Sequence, residues 1–355
     1  MTENSPDNSS PQSRPARWRR SILDLAVTPD GSTSAGALAE TTELARRAES
    51  LGYHRFWVAE HHNMPTVAST SPAVLIAHVA ASTSTIRVGS GGVMLPNHPP
   101  LVVAEQFALL EALHPGRIDL GIGRAPGTDP ATAAALRRTP AGLGAEDFPA
   151  ELVDLMGLLG DRRRDHGAWD RFRATPAATS SPEVVLLGSS GYSAQLAGLL
   201  GLPFAFAHHF DIGTSISTVD AAEWYRQSFA PSVTLDEPYF IVTAGVLAAD
   251  TDDEAEHLAG PARLAMLAMR TGRRLTLLSP EQAAVHPDME VARAMPSNRI
   301  VGDAETVAER LDELVTITDA DEVMVSTMTY GLAERVRTLE LVADHADRPV
   351  PATPA

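Results

Sequence analysis

The sequence predicts an α/β protein with a single domain, a (β/α)8 TIM barrel whose insertions lie over the C-terminal mouth. Eight strand-like runs alternate with helical patterns along the 355 residues, and repeated βα units favour parallel strands joined by helical crossovers. Two stretches, about 125–182 and 251–300, interrupt the alternation. Insertions after barrel strands lie above the mouth, where they can act as lids, or they are additions to the surface without such a role. A doubly wound sheet has the same alternation and stays open as the alternative.

The elements follow one another in a regular order. Apolar runs rich in β-branched residues predict strands at 22–27, 53–60, 85–90, 117–123, 183–188, 203–210, 238–249 and 321–327. Apolar residues at helical spacing predict helices at 35–52, 71–83, 100–116, 192–201, 217–230, 306–318 and 332–346. Ser71 followed by Pro72 is a helix-start signal, because serine caps a helix and proline suits its first position.

The sequence predicts a tail at each end of the chain. Residues 1–20 are polar and lack the apolar core of a signal peptide, so we expect a disordered tail and a cytoplasmic protein. The barrel then spans 21–346, and 347–355 form a flexible C-terminal tail.

Composition argues against several classes of protein. The net charge of −17 repels a phosphate backbone, so no nucleic-acid partner is expected. No apolar run reaches about 18 residues, so no membrane partner is expected either. Cysteine is absent, which excludes disulfides and thiolate chemistry. Every basic residue is arginine, which excludes a Schiff-base or P-loop lysine.

Four strand ends carry unusual residues, and a barrel assembles its active site at these ends. They are AEHHN (59–63), GSGG (89–92), GRAPG (123–127) and GSSGYS (188–193). The GSSGYS turn runs from a strand into a helix, where free backbone amides and serine hydroxyls form an anion site. Arg124 can join that site, because its guanidinium suits phosphate. Alternatively, the serines only cap the helix.

The adjacent histidines suggest acid–base chemistry rather than a metal site. Neighbouring residues on a strand point to opposite faces, and no metal-ligand spacing recurs in the chain, so no metal is predicted. His61 is the candidate general acid or base. The alternative is that His61 and His62 organise loops through hydrogen bonds. A G-x-S-x-G nucleophile elbow is absent.

Taken together, these motifs resemble the bacterial luciferase-like flavin-dependent monooxygenases, closest to the FMN-type, alkanal-monooxygenase-like branch. The resemblance covers roughly residues 21–345 and rests on FWVAEHHN, on the stretch from TIRVGSGG to GRAPG, and on LLGSSGYSAQLAGLLGLPFAFAHHF. It implies a TIM barrel that binds reduced FMN at the C-terminal mouth. It also implies that the turn of Ser90, Gly91 and Gly92 supports the flavin ring, through a non-proline cis peptide in the family.

The resemblance assigns further roles residue by residue. His61 matches the acid–base histidine near the flavin, and Arg124 matches the arginine that binds the FMN phosphate. The remaining cofactor contacts are on the turn after the fifth strand: Gly188, Ser189, Ser190, Tyr192 and Ser193. Gly123 stands where luciferase has a reactive cysteine, which weakens any expectation of light emission.

The implied activity is oxygenation in a two-component system. Reduced FMN, supplied by a separate reductase, reacts with O2 to a flavin hydroperoxide, which oxygenates a small organic substrate. Met94, Phe206 and His209 are the candidate substrate contacts, and the apolar residues among them suggest an apolar or aromatic compound. Alternatively, these apolar residues belong to the barrel core. The exclusive use of arginine suggests a GC-rich genome, where such enzymes tailor secondary metabolites. The resemblance also implies a homodimer, with the helix over 71–82 as the candidate interface.

Two other functions stay open. A deazaflavin-dependent relative would transfer hydride without O2, and its longer acidic cofactor should need more basic residues near the phosphate turn than Arg124 supplies, with Arg137 and Arg138 uncertain. A flavin-binding protein without turnover would need the same mouth but no acid–base residue.

Overall fold

Parallel strands make up the barrel of the computed structural model, which describes residues 18–125, 128, 130–137, 147–210, 216–273 and 275–347. The strands are β1 (Arg19–Asp24), β2 (Arg55–Val58), β3 (Arg87–Ser90), β4 (Val93–Met94), β5 (Ile118–Gly123), β6 (Glu183–Gly188), β7 (Phe204–Phe206), β8 (Phe240–Ala249), β9 (Ile300–Asp303) and β10 (Glu322–Ser326). Eight of them close a barrel in the order β1-β2-β3-β5-β6-β7-β8-β10, with β10 paired to β1. The predicted TIM barrel is confirmed, and the doubly wound alternative is wrong.

Helices connect the strands and cover the outside of the barrel. They are α1 (Ser34–Ser50), α2 (Pro72–Ser82), α3 (Pro100–Leu113), α4 (Pro130–Arg137), α5 (Phe148–Leu158), α6 (Gly191–Leu199), α7 (Thr218–Ser228), α8 (Asp252–Arg270), α9 (Pro280–Ala284), α10 (Met289–Arg293), α11 (Ala304–Thr318) and α12 (Leu332–Ala346). Helix α2 begins at Pro72 as expected, although the Ser71 side chain makes no capping hydrogen bond.

Two strands were not predicted. β4 is a two-residue strand that pairs with the end of β5, Met94 opposite Gly123. β9 pairs with the upper half of the long strand β8, Ile300 opposite Val246. β8 therefore belongs to the barrel in its lower half and to a small outer sheet in its upper half. The second insertion, 251–300, consists of α8, α9 and α10 and leads directly into β9.

The N-terminal boundary lies earlier than expected. Trp18 is buried, its indole nitrogen donates to Asp312 Oδ1 at 3.2 Å, and β1 begins at Arg19. Residues 18–20 are thus part of the barrel and not of the tail. The remaining tail residues, 1–17, and the C-terminal residues 348–355 lie outside the described part of the chain.

The lower end of the barrel is closed by buried ion pairs. Arg55 lies 3.0 Å from Asp119 Oδ2 and 3.0 Å from Glu322 Oε1. The Tyr239 hydroxyl donates to Glu322 Oε2 at 2.7 Å. Burial works against the charge of Arg55, but the carboxylates of Asp119 and Glu322 raise its pKa well above the usual value. This end carries stability, because barrel enzymes place their chemistry at the opposite face.

Candidate active site

The predicted site residues all follow strands that end at the C-terminal mouth. His61 follows β2, the glycine turn follows β3, Arg124 follows β5 and Ser189 follows β6. These four strands are consecutive neighbours around the barrel. The fold therefore brings the predicted residues to one side of the mouth, although they are spread over about 130 positions of the sequence.

The turn between β3 and β4 has no room for side chains. Its Gly91–Gly92 peptide bond is cis. A Cβ on Gly91 would lie 2.5 Å from Leu23 Cδ1, and one on Gly92 would lie 2.7 Å from the Gly121 carbonyl oxygen. Packing of the barrel interior thus already requires both glycines. The buried Ser90 hydroxyl donates to the same carbonyl at 2.8 Å, so a cofactor here would meet backbone rather than the Ser90 side chain.

Glu60 holds this turn against the end of β2. The carboxylate is fully buried, and its Oε2 accepts from the Met94 amide at 3.0 Å. Its Oε1 lies 2.9 Å from Nε2 of both His62 and His98, and it accepts from the side-chain nitrogen Nδ2 of Asn97 at 3.2 Å. Burial alone would raise the pKa of Glu60, but hydrogen bonds from His98, His62 and the Met94 amide outweigh it and lower the pKa.

His61 and His62 have different surroundings. Trp57 and Ala59 face the barrel interior, and His61 follows them in the loop after β2. The His61 amide donates to the Ser69 carbonyl oxygen at 3.0 Å, which fixes the backbone there. The His62 ring is held by Glu60, and His61 stays the predicted acid–base residue.

The predicted anion site is built on the first turn of α6. Ser190 is its N-cap and accepts from the Ser193 amide at 3.4 Å, so one serine does cap the helix. Ser193 is buried, and a Cβ on Gly188 would overlap it. The amides of Gly191 and Tyr192 have no acceptor within the helix, because the first turn of any helix leaves them unpaired.

Arg124 reaches this helix start from β5. Its guanidinium carbon lies 4.5 Å from the centroid of the Tyr192 ring, a cation–π contact. It forms no ion pair with another described residue, so its N–H donors are left for an anion. An arginine fork beside unpaired helix amides is the donor set that a phosphate monoester requires. The residues present therefore fit the phosphate of FMN.

The predicted substrate contacts have different outcomes. Met94 is half-buried at the mouth, and a Cβ on Gly123 would lie 2.9 Å from its sulfur. His209 is half-buried, and its amide donates to the Thr243 carbonyl oxygen at 2.8 Å. Phe206 is 1% exposed within the large core that strands and helices share. The prediction that Phe206 contacts the substrate is therefore corrected, because its ring packs in that core and does not face the mouth.

Arg299 is a mouth residue that the sequence did not indicate. It lies one position before β9, at the end of the second insertion. Its Cγ would be 3.4 Å from a Cβ on Gly245 of β8. The start of a strand normally lies at the lower end of a barrel. Arg299 lies at the mouth because β9 pairs with the upper half of β8, which no local pattern predicts.

The described residues lack two features. They contain no group of three or more histidine, cysteine or acidic side chains arranged to hold a metal ion. Among the same residues, no helix has the length and apolar character needed to cross a membrane.

Comparison with known proteins identifies the family. A family model described as luciferase-like monooxygenase matches residues 19–320. A luciferase-like monooxygenase of Escherichia coli is 43% identical, over 91% of this chain and 96% of that protein. The N-acetyl-S-alkylcysteine monooxygenase of Bacillus subtilis is 34% identical, over 92% of this chain and 97% of that protein.

Solved structures agree with this assignment. Apo-MsnO8 is 36% identical, with a TM-score of 0.85 over 93% of this chain and 98% of that chain. Two more distant structures share the fold: an oxygenating 3,6-diketocamphane monooxygenase component from Pseudomonas putida in complex with FMN, and a coenzyme F420-dependent reductase from Methanopyrus kandleri. They are 20% and 16% identical, with TM-scores of 0.67 and 0.63. This chain therefore belongs to the luciferase-like monooxygenase family and is an oxidoreductase.

Proposed function

We propose that this enzyme is a monooxygenase that uses reduced FMN, delivered by a separate reductase, and O2 to oxygenate an apolar or aromatic organic substrate. The observation that carries the proposal is the arginine fork of Arg124, held over Tyr192 beside the unpaired amides of α6. This donor set lies on the same side of the mouth as His61 and the glycine turn. In this proposal, the phosphate of FMN lies at Arg124 and α6, and its ring lies at the glycine turn.

When bound, reduced FMN supplies the electrons with which one oxygen atom of O2 enters the substrate and the other leaves as water. The chain's own residues bind and orient. Arg124 and the start of α6 hold the phosphate, and the backbone of Gly91 and Gly92 offers a flat surface to the ring. His61 holds or moves a proton at the mouth. In this proposal, the described residues that directly follow β5 and those of the second insertion cover the site and exclude water.

The choice of FMN over a deazaflavin rests on charge. A deazaflavin of the F420 type has a longer and more acidic tail than FMN. Among the described arginines, Arg124 contacts Tyr192 at the start of α6 through a cation–π contact. One arginine is sufficient for a single phosphate. Arg138 and the Arg137 side chain lie outside the described part of the chain.

We also propose a homodimer formed through α2 and α3. Val74 on α2 and Val102, Leu109 and Leu113 on α3 are large apolar residues that the chain leaves exposed. The three α3 residues are spaced so that they share one helix face. The predicted interface covered only α2, and the exposed face of α3 extends it. We also propose that the enzyme is cytoplasmic and that it tailors a secondary metabolite.

The decisive experiment is an anaerobic titration of the purified protein with reduced FMN and, separately, with reduced F420. Calorimetry measures the binding in each titration. Tight binding of reduced FMN and weak binding of F420 are expected. The loaded protein is then mixed with ¹⁸O2 and candidate substrates, and products are analysed by mass spectrometry. One ¹⁸O atom per product molecule supports a monooxygenase. Preference for F420 would favour hydride transfer, and binding without any product would favour a flavin-binding protein.

A further inference from the structure

Trp224 of α7 packs against the start of the neighbouring helix α6. A Cβ on Gly191, the first residue of α6, would lie 2.1 Å from Cζ3 and 2.4 Å from Cε3 of Trp224. The six-membered part of the indole therefore occupies the place that a side chain at position 191 would take. Trp224 is still 38% exposed, although tryptophan is highly buried on average, so part of the ring borders open space beside the helix start.

The contact lies at the amide end of α6. In an α-helix every Cα–Cβ bond is tilted towards the N-terminus, so a group in the place of the Gly191 side chain lies beside the first turn. The amides of Gly191 and Tyr192 point in the same direction and have no acceptor within the helix. These are the amides that the proposed function assigns to the FMN phosphate. The indole of Trp224 is thus a wall of the proposed phosphate site.

Other groups border this site on different sides. Consecutive helical residues face directions about 100° apart, so the Tyr192 ring, which Arg124 contacts, lies on another side than the indole. Towards the strand, the Ser190 hydroxyl accepts from the Ser193 amide at 3.4 Å. There, a Cβ on Gly188 would lie 2.3 Å from the Ser193 Cβ. The start of α6 therefore has a cation, a closed polar turn and an aromatic ring around it.

Such an enclosure distinguishes between two kinds of phosphate. The monoester of FMN ends in three free oxygens, which an arginine and helix amides can bind. In FAD and in deazaflavins of the F420 type, one of these oxygens carries a further substituent. That substituent has to leave the site past one of its walls, and the rigid indole obstructs its path.

We propose that Trp224 determines the specificity for the cofactor: its indole closes the phosphate site against flavins whose phosphate carries a further substituent. The proposal rests on the proposed function, which places the FMN phosphate at Arg124 and α6. Obstruction of the wrong ligand is a general route to specificity. An enzyme that takes its reduced flavin from solution would in this way select the monophosphate over FAD.

The test is anaerobic calorimetry on the full chain with three reduced flavins that share one ring system. Riboflavin has no phosphate, FMN has a monoester, and FAD has a substituted phosphate. We expect the wild type to bind FMN about tenfold or more tightly than FAD, because forcing bulk into a filled site is costly. Trp224→Ala should lower this ratio about tenfold through tighter binding of FAD and leave riboflavin binding unchanged.

Trp224→Phe removes only part of the ring system and should give an intermediate ratio, which keeps the test decisive if the alanine variant does not fold. Phe172→Ala is the matched control, because Phe172 is an aromatic residue that is 51% exposed and lies outside α6 and α7. This control should keep the wild-type ratio.

The possible failures can be told apart. If the wild type binds FAD as tightly as FMN, or if Trp224→Ala retains the ratio, the inference is wrong and the proposed function stands. Weaker binding of FAD by Trp224→Ala would also contradict the inference, because the indole would then stack on the adenine. If wild-type protein bound FMN no more tightly than riboflavin, the phosphate site would be wrong, and with it both the proposed function and this inference.

Discussion

Single residues carry the two roles proposed for the mouth, the binding of an anion and the transfer of a proton. Arg124 contacts Tyr192 at the start of α6, so the proposed phosphate site combines a cation with the amides of the first helical turn. His61 lies at the end of β2, next to the buried carboxylate of Glu60. Glu60 accepts from His62, His98 and the Met94 amide. The alternative that the histidine pair organises loops through hydrogen bonds thus applies to His62.

Arg124→Ala should weaken the binding of reduced FMN by about 1.5–3 kcal/mol, because a charge-assisted phosphate contact is lost. Anaerobic calorimetry measures the change in Kd. Riboflavin, which lacks the phosphate, should bind the variant and the wild type equally. Arg162→Ala, at an exposed position in the first insertion, is the control. Equal Kd values for FMN in Arg124→Ala and wild type would remove Arg124 from the phosphate site.

His61→Ala should retain reduced FMN binding and lower the rate of product formation by about a hundredfold or more, the usual contribution of a general acid or base. The measurement is the rate of product formation at saturating reduced FMN, with added imidazole as a rescue agent. His166→Ala is the control, because the His166 side chain is 90% exposed. A loss of stability with unchanged turnover would show instead that His61 organises the loop.

At the scale of elements, the alternation of strands and helices in the sequence was sufficient to predict the barrel, but it did not predict the two additional strands, β4 and β9. Seven of the eight barrel strands lie within predicted runs, and β1 overlaps its run but begins three residues earlier; each run could be recognised because it is an apolar segment bounded by turns. β4 has only two residues, and β9 depends on the upper half of β8; neither leaves a local signal. Phe206 could have been placed correctly, since the small residues Ala205 and Ala207 alternate with it and small residues suit the narrow interior.

One inter-element contact predicts a dependence of stability on pH. Glu49, on the last turn of α1, accepts from the amides of Ser84 and Ile86 and from the amide and hydroxyl of Thr85. Burial would raise the pKa of Glu49, but these hydrogen bonds outweigh it and lower the pKa from 4.5 to about 2. The carboxylate thereby joins α1 to the segment that enters β3.

Glu49→Gln should therefore lower the free energy of unfolding by about 1 kcal/mol at neutral pH, a modest value because the carboxylate is partly exposed. The sign follows from a folded-state pKa below the unfolded one: the stabilisation is complete above 4.5 and is lost as pH falls towards about 2. Urea unfolding between these pH values measures the difference from wild type. Glu43→Gln on the same helix is the control, and a difference that stays constant with pH would contradict the assignment.

At the scale of the whole molecule, the fold brings the residues predicted from the sequence to one side of the C-terminal mouth, but the sequence did not indicate Arg299 on the other side. His61, Arg124 and the α6 turn could be named because each directly follows a predicted strand and matches a family motif. Glu60 belongs to the same motif, yet its role depends on His98, 38 residues away. Arg299 depends on a strand pairing that appears only in three dimensions. Residues brought in by long-range pairing carry no local pattern.

The proposed dimer gives the last prediction, because it concerns surface that the single chain leaves uncovered. Leu109 is 49% exposed and Val74 is 70% exposed, on neighbouring helices that the barrel positions side by side. Burial of such residues between two copies would remove apolar surface from water at about 25 cal/mol per Å². Leu109→Asp should place a charge in that interface and give a monomer at micromolar concentration, by light scattering after gel filtration.

Val285→Asp is the matched control, because Val285 is 83% exposed at the end of α9 and lies outside the proposed interface. Both variants should keep the wild-type far-UV spectrum, since each replaced side chain is on the surface. If Val285→Asp also gave a monomer, or if the wild-type chain were monomeric, the α2–α3 face would need another explanation. Reduced FMN binding by monomeric Leu109→Asp would then show whether the mouth is complete within one chain, as the placement of Arg124, His61 and Arg299 on a single barrel predicts.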